Sequence, residues 1–98
     1  MRYCFDIDGV ICETLDGDYE NATPIRKNID VINLLSIGHE IILFTARGSV
    51  TKLDWTELTE LQMRKWDVKY NKLYMGKPHA DVYIDDKGIS SLDFFHDR

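Results

Sequence analysis

The sequence predicts an α/β fold with a mainly parallel sheet of about four strands, and three observations lead to that prediction. Short apolar segments rich in β-branched and aromatic residues alternate with segments of helical periodicity. The first unit reads strand, helix, strand, which implies parallel strands joined by a right-handed crossover. The chain has 98 residues, of which 44% are apolar and 30% charged, as in one ordinary globular domain. We therefore expect residues 1–98 to form a single domain.

The first predicted strand covers Arg2–Ile7, where apolar residues lead into the sequence Asp6-Ile7-Asp8-Gly9. Residues i and i+2 of a strand point the same way, so the two carboxylates would repel each other unless a cation or a shared proton relieves them. The polar segment 9–23 is predicted to be a loop or small hairpin beside the strand end, with a turn at Asp16-Gly17-Asp18.

The first helix is predicted to begin at Thr23 and Pro24, because a hydroxyl at the N-cap and a proline at the first helical position are typical start signals. Apolar residues then recur at intervals of three or four as far as Leu35, and Gly38 suits a left-handed C-cap. The second strand is predicted over Glu40–Thr45, an almost continuous apolar run typical of a strand covered on both faces.

The second helix is predicted to follow a turn at 46–49 and to run to about Trp66. Thr51 and Asp54 have the spacing of a capping box at its start, with Asp in place of the usual Glu or Gln. Its predicted apolar side consists of Trp55, Leu58, Leu61 and Trp66.

Two short strands complete the predicted sheet, at Leu73–Met75 and Val82–Ile84. The tail 89–95 carries three large apolar residues, which are Leu92, Phe94 and Phe95. We expect it to pack against the core as a helical turn.

Polar side chains lie at or just after the ends of all four predicted strands, and they are Asp6, Asp8, Thr45, Lys77, Asp85 and Asp86. Because ligands of open α/β sheets bind at the carboxyl ends of the strands, we expect these side chains to converge there. Converging carboxylates with no Cys or His partner favour Mg²⁺, and a lysine and a threonine suit the oxygens of a phosphoryl group. One aspartate can attack phosphorus while a second moves protons, so the set suffices to hydrolyse a phosphomonoester.

The order of these residues resembles the haloacid dehalogenase superfamily. The resemblance is carried by four ordered motifs, which are Asp6-Ile7-Asp8-Gly9-Val10, Leu43-Phe44-Thr45, Lys77 and Asp85-Asp86. It implies that Asp6 is the nucleophile and a metal ligand, and that Asp8 is the acid/base and gives its backbone carbonyl to the metal. It also implies that Thr45, Ala46 and Lys77 hold the phosphoryl group. An aspartate two residues after the nucleophile is what the family's phosphatases and phosphotransferases carry, which argues against dehalogenation.

Asp85 and Asp86 would complete the Mg²⁺ site in this resemblance. It further implies a three-layer, Rossmann-like core with the strand order 3-2-1-4. The stretches after the first and second strands are too short for a cap domain, so we expect a minimal capless enzyme. With that order, the short connection 76–81 must run nearly straight across the sheet.

A narrower resemblance concerns the segments Thr45-Ala46-Arg47-Gly48 and 76–87, which are similar to small capless members of the superfamily in capsule or polysaccharide biosynthesis. The implied substrate is a sugar phosphate or a nucleotide-linked sugar precursor. Without a cap the site would be open, so we expect a bulky substrate, closure by the segment 11–21, or a lid supplied by a second copy or a partner.

Several of these residues have simpler explanations. Asp6 and Asp8 could end an edge strand, with Gly9 making the turn. A calcium loop is excluded, because the position that requires Glu holds Gly17 or Lys27, depending on the starting aspartate. Arg47 is a candidate substrate contact, and it could equally be a surface charge or the partner of Glu13 or Asp16; Lys87 and Asp81 have the same status.

Composition narrows the function classes further. The net charge of −5 argues against broad nucleic-acid binding, and no apolar run is long enough to span a bilayer. Cys4 and Cys12 lack metal-type spacing, and no basic, apolar leader precedes the first strand. We therefore expect a cytoplasmic protein with reduced thiols.

Two rival functions use similar residues. A phosphoacceptor receiver domain also gathers acids, a threonine and a lysine around Mg²⁺, but its paired acids come first in the chain rather than last. A catalytically idle relative could bind a ligand or regulate a partner through the same pocket.

Overall fold

The computed structural model describes residues 1–48, 53–76, 82–84 and 94–95. Two α-helices and six short strands are assigned within these residues: β1 Arg2–Asp6, β2 Cys12–Glu13, β3 Thr23–Pro24, α1 Arg26–Leu35, β4 Glu40–Phe44, α2 Thr56–Lys65, β5 Lys72–Tyr74 and β6 Val82–Ile84. A 3₁₀ turn at Tyr19–Asn21 lies between β2 and β3.

A parallel sheet organises the molecule. Its strands lie in the order β5-β4-β1-β6, and each neighbouring pair is parallel. In register, Phe5 pairs with Leu43 on one side of β1 and with Ile84 on the other. The predicted α/β class and the parallel pairing are therefore confirmed.

The start of α1 differs from the prediction. Thr23 and Pro24 form β3, which pairs antiparallel with β2, and α1 begins after Ile25, which makes no side-chain capping bond. The Ile25 N–H donates to the Ile11 carbonyl at 2.8 Å, so pairing with a distant segment holds these residues extended. The predicted N-cap at Thr23 is therefore wrong by about two residues, within the usual uncertainty of helix ends.

The core lies mainly on one face of the sheet. Because strand side chains alternate, Phe5, Ile41 and Leu43 share that face, where they pack with residues of α1 and α2. Phe94 and Phe95 join this cluster, with the Phe94 ring edge-on to Phe5 at 5.6 Å, as predicted for those two tail residues. The opposite face carries a smaller cluster, which consists of Cys4, Ile42 and Phe44.

The buried face of α2 also differs from the prediction. Leu61 is 54% exposed, whereas Thr59, Gln62 and Met63 are buried, followed by Trp66 after the helix. Two of these buried residues, Thr59 and Gln62, are polar.

Two further expectations concern thiols and membranes. Cys4 and Cys12 are both buried and free. Within the described part of the chain, neither helix has the length and apolar character needed to cross a membrane.

Candidate active site

The carboxyl end of β1 carries the two aspartates. Asp6 is the last residue of β1, and its Oδ1 accepts the backbone N–H of Ile7 at 2.8 Å. The chain then turns back, with Gly9 at a φ of +91° and the Ile11 N–H donating to the Ile7 carbonyl at 2.9 Å. This turn leaves Asp8 at the sheet edge, two residues beyond Asp6.

Thr45 brings the end of β4 to the same place. Its backbone N–H donates to the Tyr74 carbonyl at 3.1 Å, so it sits between the ends of β4 and β5. Its hydroxyl donates to Asp8 Oδ2 at 3.3 Å, although 37 residues separate the two. The structure therefore joins two of the predicted site residues directly, and Asp6 pairs in register with Phe44, the residue before Thr45.

Arg47 forms a two-pronged ion pair with Asp8. Its Nη2 donates to Asp8 Oδ1 at 2.8 Å, and its Nε donates to Asp8 Oδ2 at 3.0 Å. The Arg47 side chain has no solvent exposure, while that of Asp8 is 27% exposed. Bidentate pairs of this kind add geometric specificity as well as interaction energy. The pair is therefore the strongest constraint on the Asp8 carboxylate.

Residues of α2 and of the 3₁₀ turn hold Arg47 in place. Its Nη1 donates to Gln62 Oε1 at 2.7 Å and to Thr59 Oγ1 at 3.1 Å. Its guanidinium carbon lies 4.7 Å from the centre of the Tyr19 ring, and Gln62 Nε2 donates to the Tyr19 carbonyl at 2.6 Å. In the described residues, every buried side-chain nitrogen and oxygen has a hydrogen-bond partner. A saturated polar cluster therefore ties the 3₁₀ turn and α2 to Asp8.

The electrostatics of Asp8 follow from these contacts. Burial alone would raise its pKa, but hydrogen bonds from Arg47, Thr14 and Thr45 and the charge of Arg47 lower the pKa below its ordinary value of 3.8. The Thr14 hydroxyl donates to Asp8 Oδ1 at 2.7 Å. Burial raises the pKa of the neighbouring Cys12 thiol to about 11, so this cysteine stays protonated. Asp8 is therefore an anion in the resting structure.

The contacts of Arg47 correct part of its sequence interpretation. It is not a surface charge, and its ion partner is Asp8 rather than Glu13 or Asp16. Substrate contact by Arg47 stays a prediction, since its side chain reaches no solvent here. Sequence reasoning also missed Thr14, Thr59 and Gln62. The sequence offered one signal for this polar cluster: two polar residues, Thr59 and Gln62, lie three residues apart and beside the apolar Met63.

Other predicted site residues fall outside the described part of the chain. These are Lys77, Asp85 and Asp86, together with Asp81 and Lys87. Ala46 is described and exposed, directly after Thr45.

The fit of the site to Mg²⁺ can be tested on its donors. Asp6 and Asp8 supply oxygen atoms, which suit a hard cation in kind. Among residues 1–48, 53–76, 82–84 and 94–95, no group of three or more His, Cys, Asp or Glu side chains forms a metal cluster. Arg47 also relieves the charge of Asp8, so repulsion between the aspartates does not by itself require a metal.

Comparisons with known proteins address the fold. No protein-family model matches the chain, and no curated protein sequence matches it. The chain is similar to the crystal structure of a target protein from Vibrio cholerae, with a TM-score of 0.75 and 25% sequence identity. The similarity covers 97% of this chain and 88% of that one. It indicates a shared fold and specifies no activity.

Proposed function

We propose that this protein is a Mg²⁺-dependent phosphomonoester hydrolase that works through an aspartyl-phosphate intermediate on Asp6. The observation that carries the proposal is the contact between Asp8 and Thr45 at the carboxyl edge of the sheet, beside Asp6. That edge is where α/β folds hold their ligands, and the motif order of the haloacid dehalogenase superfamily predicts the same grouping. The observed order β5-β4-β1-β6 supports the strand order 3-2-1-4 that this family implies.

The proposed reaction has two steps. An Asp6 oxygen attacks phosphorus, the bond between phosphorus and the ester oxygen breaks, and Asp8 gives a proton to the leaving alkoxide. In the second step Asp8 takes a proton from water as the water attacks phosphorus, and inorganic phosphate leaves Asp6. Thr45, Ala46 and Lys77 hold the phosphoryl oxygens in this scheme.

The Asp8–Arg47 pair determines when Asp8 can act as an acid. Its lowered pKa keeps Asp8 ionised at rest, which suits the water step but not protonation of a leaving group. A phosphate dianion bound at Thr45 would raise the pKa of Asp8, because a nearby like charge disfavours the ionised form. Substrate binding would therefore favour uptake of a proton from solvent by Asp8, and Asp8 would give this proton to the leaving group in the first step.

Four residues would hold the magnesium ion in this proposal. Asp6 by its carboxylate and Asp8 by its backbone carbonyl would contribute, together with Asp85 and Asp86. When bound, the metal ion neutralises the repulsion between an anionic nucleophile and an anionic phosphate.

The substrate class follows the narrower sequence resemblance. A sugar phosphate or a related polysaccharide precursor would be dephosphorylated, and the enzyme would be cytoplasmic. Because no cap domain is expected, the segment 11–21, a second copy or a partner protein would supply any lid.

Hydrolysis of p-nitrophenyl phosphate tests the proposal. We expect turnover that requires Mg²⁺, is lost on chelation and is lost in Asp6→Asn. Asp16→Asn is the matched control, because Asp16 is exposed and at a positive φ, a conformation that Asn also tolerates. The proposal fails if the wild-type chain hydrolyses neither this ester nor a panel of sugar phosphates faster than Asp6→Asn.

A second candidate is an idle binding module, and the buried Arg47–Asp8 pair favours it. Such a pair with all its partners satisfied is also what a purely structural cluster looks like. This candidate expects phosphate binding in the wild type without turnover.

Brief incubation with labelled acetyl phosphate separates a receiver domain, which accumulates label, from a phosphatase, which releases phosphate.

A further inference from the structure

A cleft borders the candidate site on the side away from β1. Its walls are formed by the segments 45–48 after β4, 53–56 at the start of α2 and 75–76 after β5. Its volume is about 390 Å³, within the range of small-molecule sites. Thr45 and Ala46 line this cleft and are also predicted to hold the phosphoryl group, so the cleft adjoins the predicted phosphoryl-binding position.

Among the described residues, the walls of the cleft combine apolar surface with the anionic side chain of Asp54. Leu53 is 60% exposed and Met75 is 40% exposed, which gives the cleft accessible apolar surface. Hydrogen bonds from the Thr56 side chain and N–H lower the pKa of Asp54, so its carboxylate is charged at neutral pH. Among the described lining residues, Arg47 is the one cation, and its guanidinium is committed to Asp8.

The shape of the cleft is held by its own backbone. Gly48 has a φ of +83°, and a side-chain carbon there would overlap the Leu53 carbonyl oxygen. Asp54 Oδ1 accepts the Thr56 N–H at 3.0 Å, which fixes the entry to α2. Trp55 is anchored edge-on to the Tyr19 ring at 5.1 Å. A pre-formed site of this kind avoids most of the entropy cost of ordering its walls on binding.

These properties select among leaving groups. A carboxylate accepts hydrogen bonds and cannot donate them, so Asp54 suits a ligand that presents hydroxyl groups. The same charge repels a second phosphate, while Leu53 and Met75 favour a ligand with an apolar face.

We propose that this cleft binds the leaving group of the substrate and selects an uncharged, hydroxyl-bearing ring over one that carries a further phosphate. The inference rests on the proposed function and narrows it. It favours simple sugar monophosphates over sugar bisphosphates and nucleotide-linked sugars. Leu53 and Asp54 are the residues that determine this specificity.

The test compares kcat/KM for methyl phosphate, a hexose 6-phosphate and a hexose 1,6-bisphosphate in matched variants. Leu53→Ala should lower kcat/KM for the hexose 6-phosphate about tenfold and leave methyl phosphate unchanged. Leu61→Ala is the control, because Leu61 is a similarly exposed leucine that does not line the cleft, and it should change neither value. Asp54→Asn keeps a capping acceptor for α2 and should raise kcat/KM for the bisphosphate about threefold.

The outcomes separate the two proposals. If methyl phosphate is hydrolysed in an Asp6-dependent way but Leu53→Ala affects both monoesters equally, the cleft assignment is wrong while the proposed function stands. Equal use of the bisphosphate and the monophosphate by the wild type also overturns the assignment. If no monoester is hydrolysed, the proposed function fails and the cleft assignment fails with it.

Discussion

Helices α1 and α2 contribute to the same core cluster but bury different chemistry. On α1 the buried residues are Ile29 and Ile32, both apolar. On α2 they are Thr59, Gln62 and Met63, and the first two accept hydrogen bonds from Arg47. One helix is therefore held mainly by removing apolar surface from water, and the other partly by a polar cluster beside the candidate site.

The two helices therefore differ in how well they tolerate substitution. Apolar contacts are non-directional, so a core position accepts other side chains of similar volume. A buried polar cluster must keep all its partners, because each unsatisfied group carries the full cost of losing its hydration. We expect the α2 side to be the less tolerant one, and the changes below test that expectation.

Replacing Arg47 should have the largest effect. Arg47→Met leaves the Asp8 carboxylate without its ion partner and leaves Thr59 and Gln62 without a donor. Breaking a buried pair in this way should lower the free energy of unfolding by about 4 kcal/mol, measured by urea denaturation. Lys69→Met is the matched control, because the Lys69–Asp67 pair is exposed, and it should have little effect. A loss in Arg47→Met no larger than in the control would contradict the comparison.

Shortening a side chain of α1 should have the next largest effect. Ile32 is fully buried, so Ile32→Ala should cost about 3 kcal/mol through lost transfer energy and the cavity left behind. Leu34, in the same helix, is 70% exposed, and Leu34→Ala should stay within about 0.5 kcal/mol of the wild type. Ile32→Val should retain most of the free energy of unfolding that Ile32→Ala loses. At Arg47, by contrast, every substitution that removes the charge should lower the free energy of unfolding about as much as Arg47→Met does.

The elements that the sequence predicted well are those whose signal is local. The continuous apolar run of β4 and the three- to four-residue period of α1 reflect burial by whichever layer packs on them. The start of α1 failed because Thr23 and Pro24 pair with Cys12 and Glu13, a contact that capping rules do not contain. Tertiary pairing overrode a local preference there.

The candidate site likewise has contacts that the sequence predicted and contacts that it did not. The meeting of Asp8 and Thr45 was predictable, because parallel strands bring their carboxyl ends to one edge. The contacts of Arg47 with Thr59 and Gln62 were not, because they depend on where the α2 backbone settles against the sheet. The prediction from helical periodicity assigned apolar residues to the buried side of α2, so it placed Leu61 there. In the structure Leu61 is exposed and Gln62 is buried.

Lowering the pH should have the weakest effect on stability, and it contrasts the buried ion pair of Asp8 with the exposed pair of Asp67. The pKa of Asp8 is lowered in the folded state, so its contribution to stability is present above the unfolded pKa near 4 and is lost as pH falls through the folded value. In urea unfolding at pH 7 to pH 3 without added metal, the stability gap between wild type and Asp8→Asn should be constant above about pH 5 and shrink below pH 4. Lys69 lowers the pKa of Asp67 in the same direction, but Asp67 is fully exposed, so Asp67→Asn should change the pH profile much less because solvent screens its charge. Parallel profiles for wild type and Asp8→Asn down to pH 3 would mean that Arg47 does not stabilise the ionised form of Asp8, and the polar cluster under α2 would then hold the helix by packing alone.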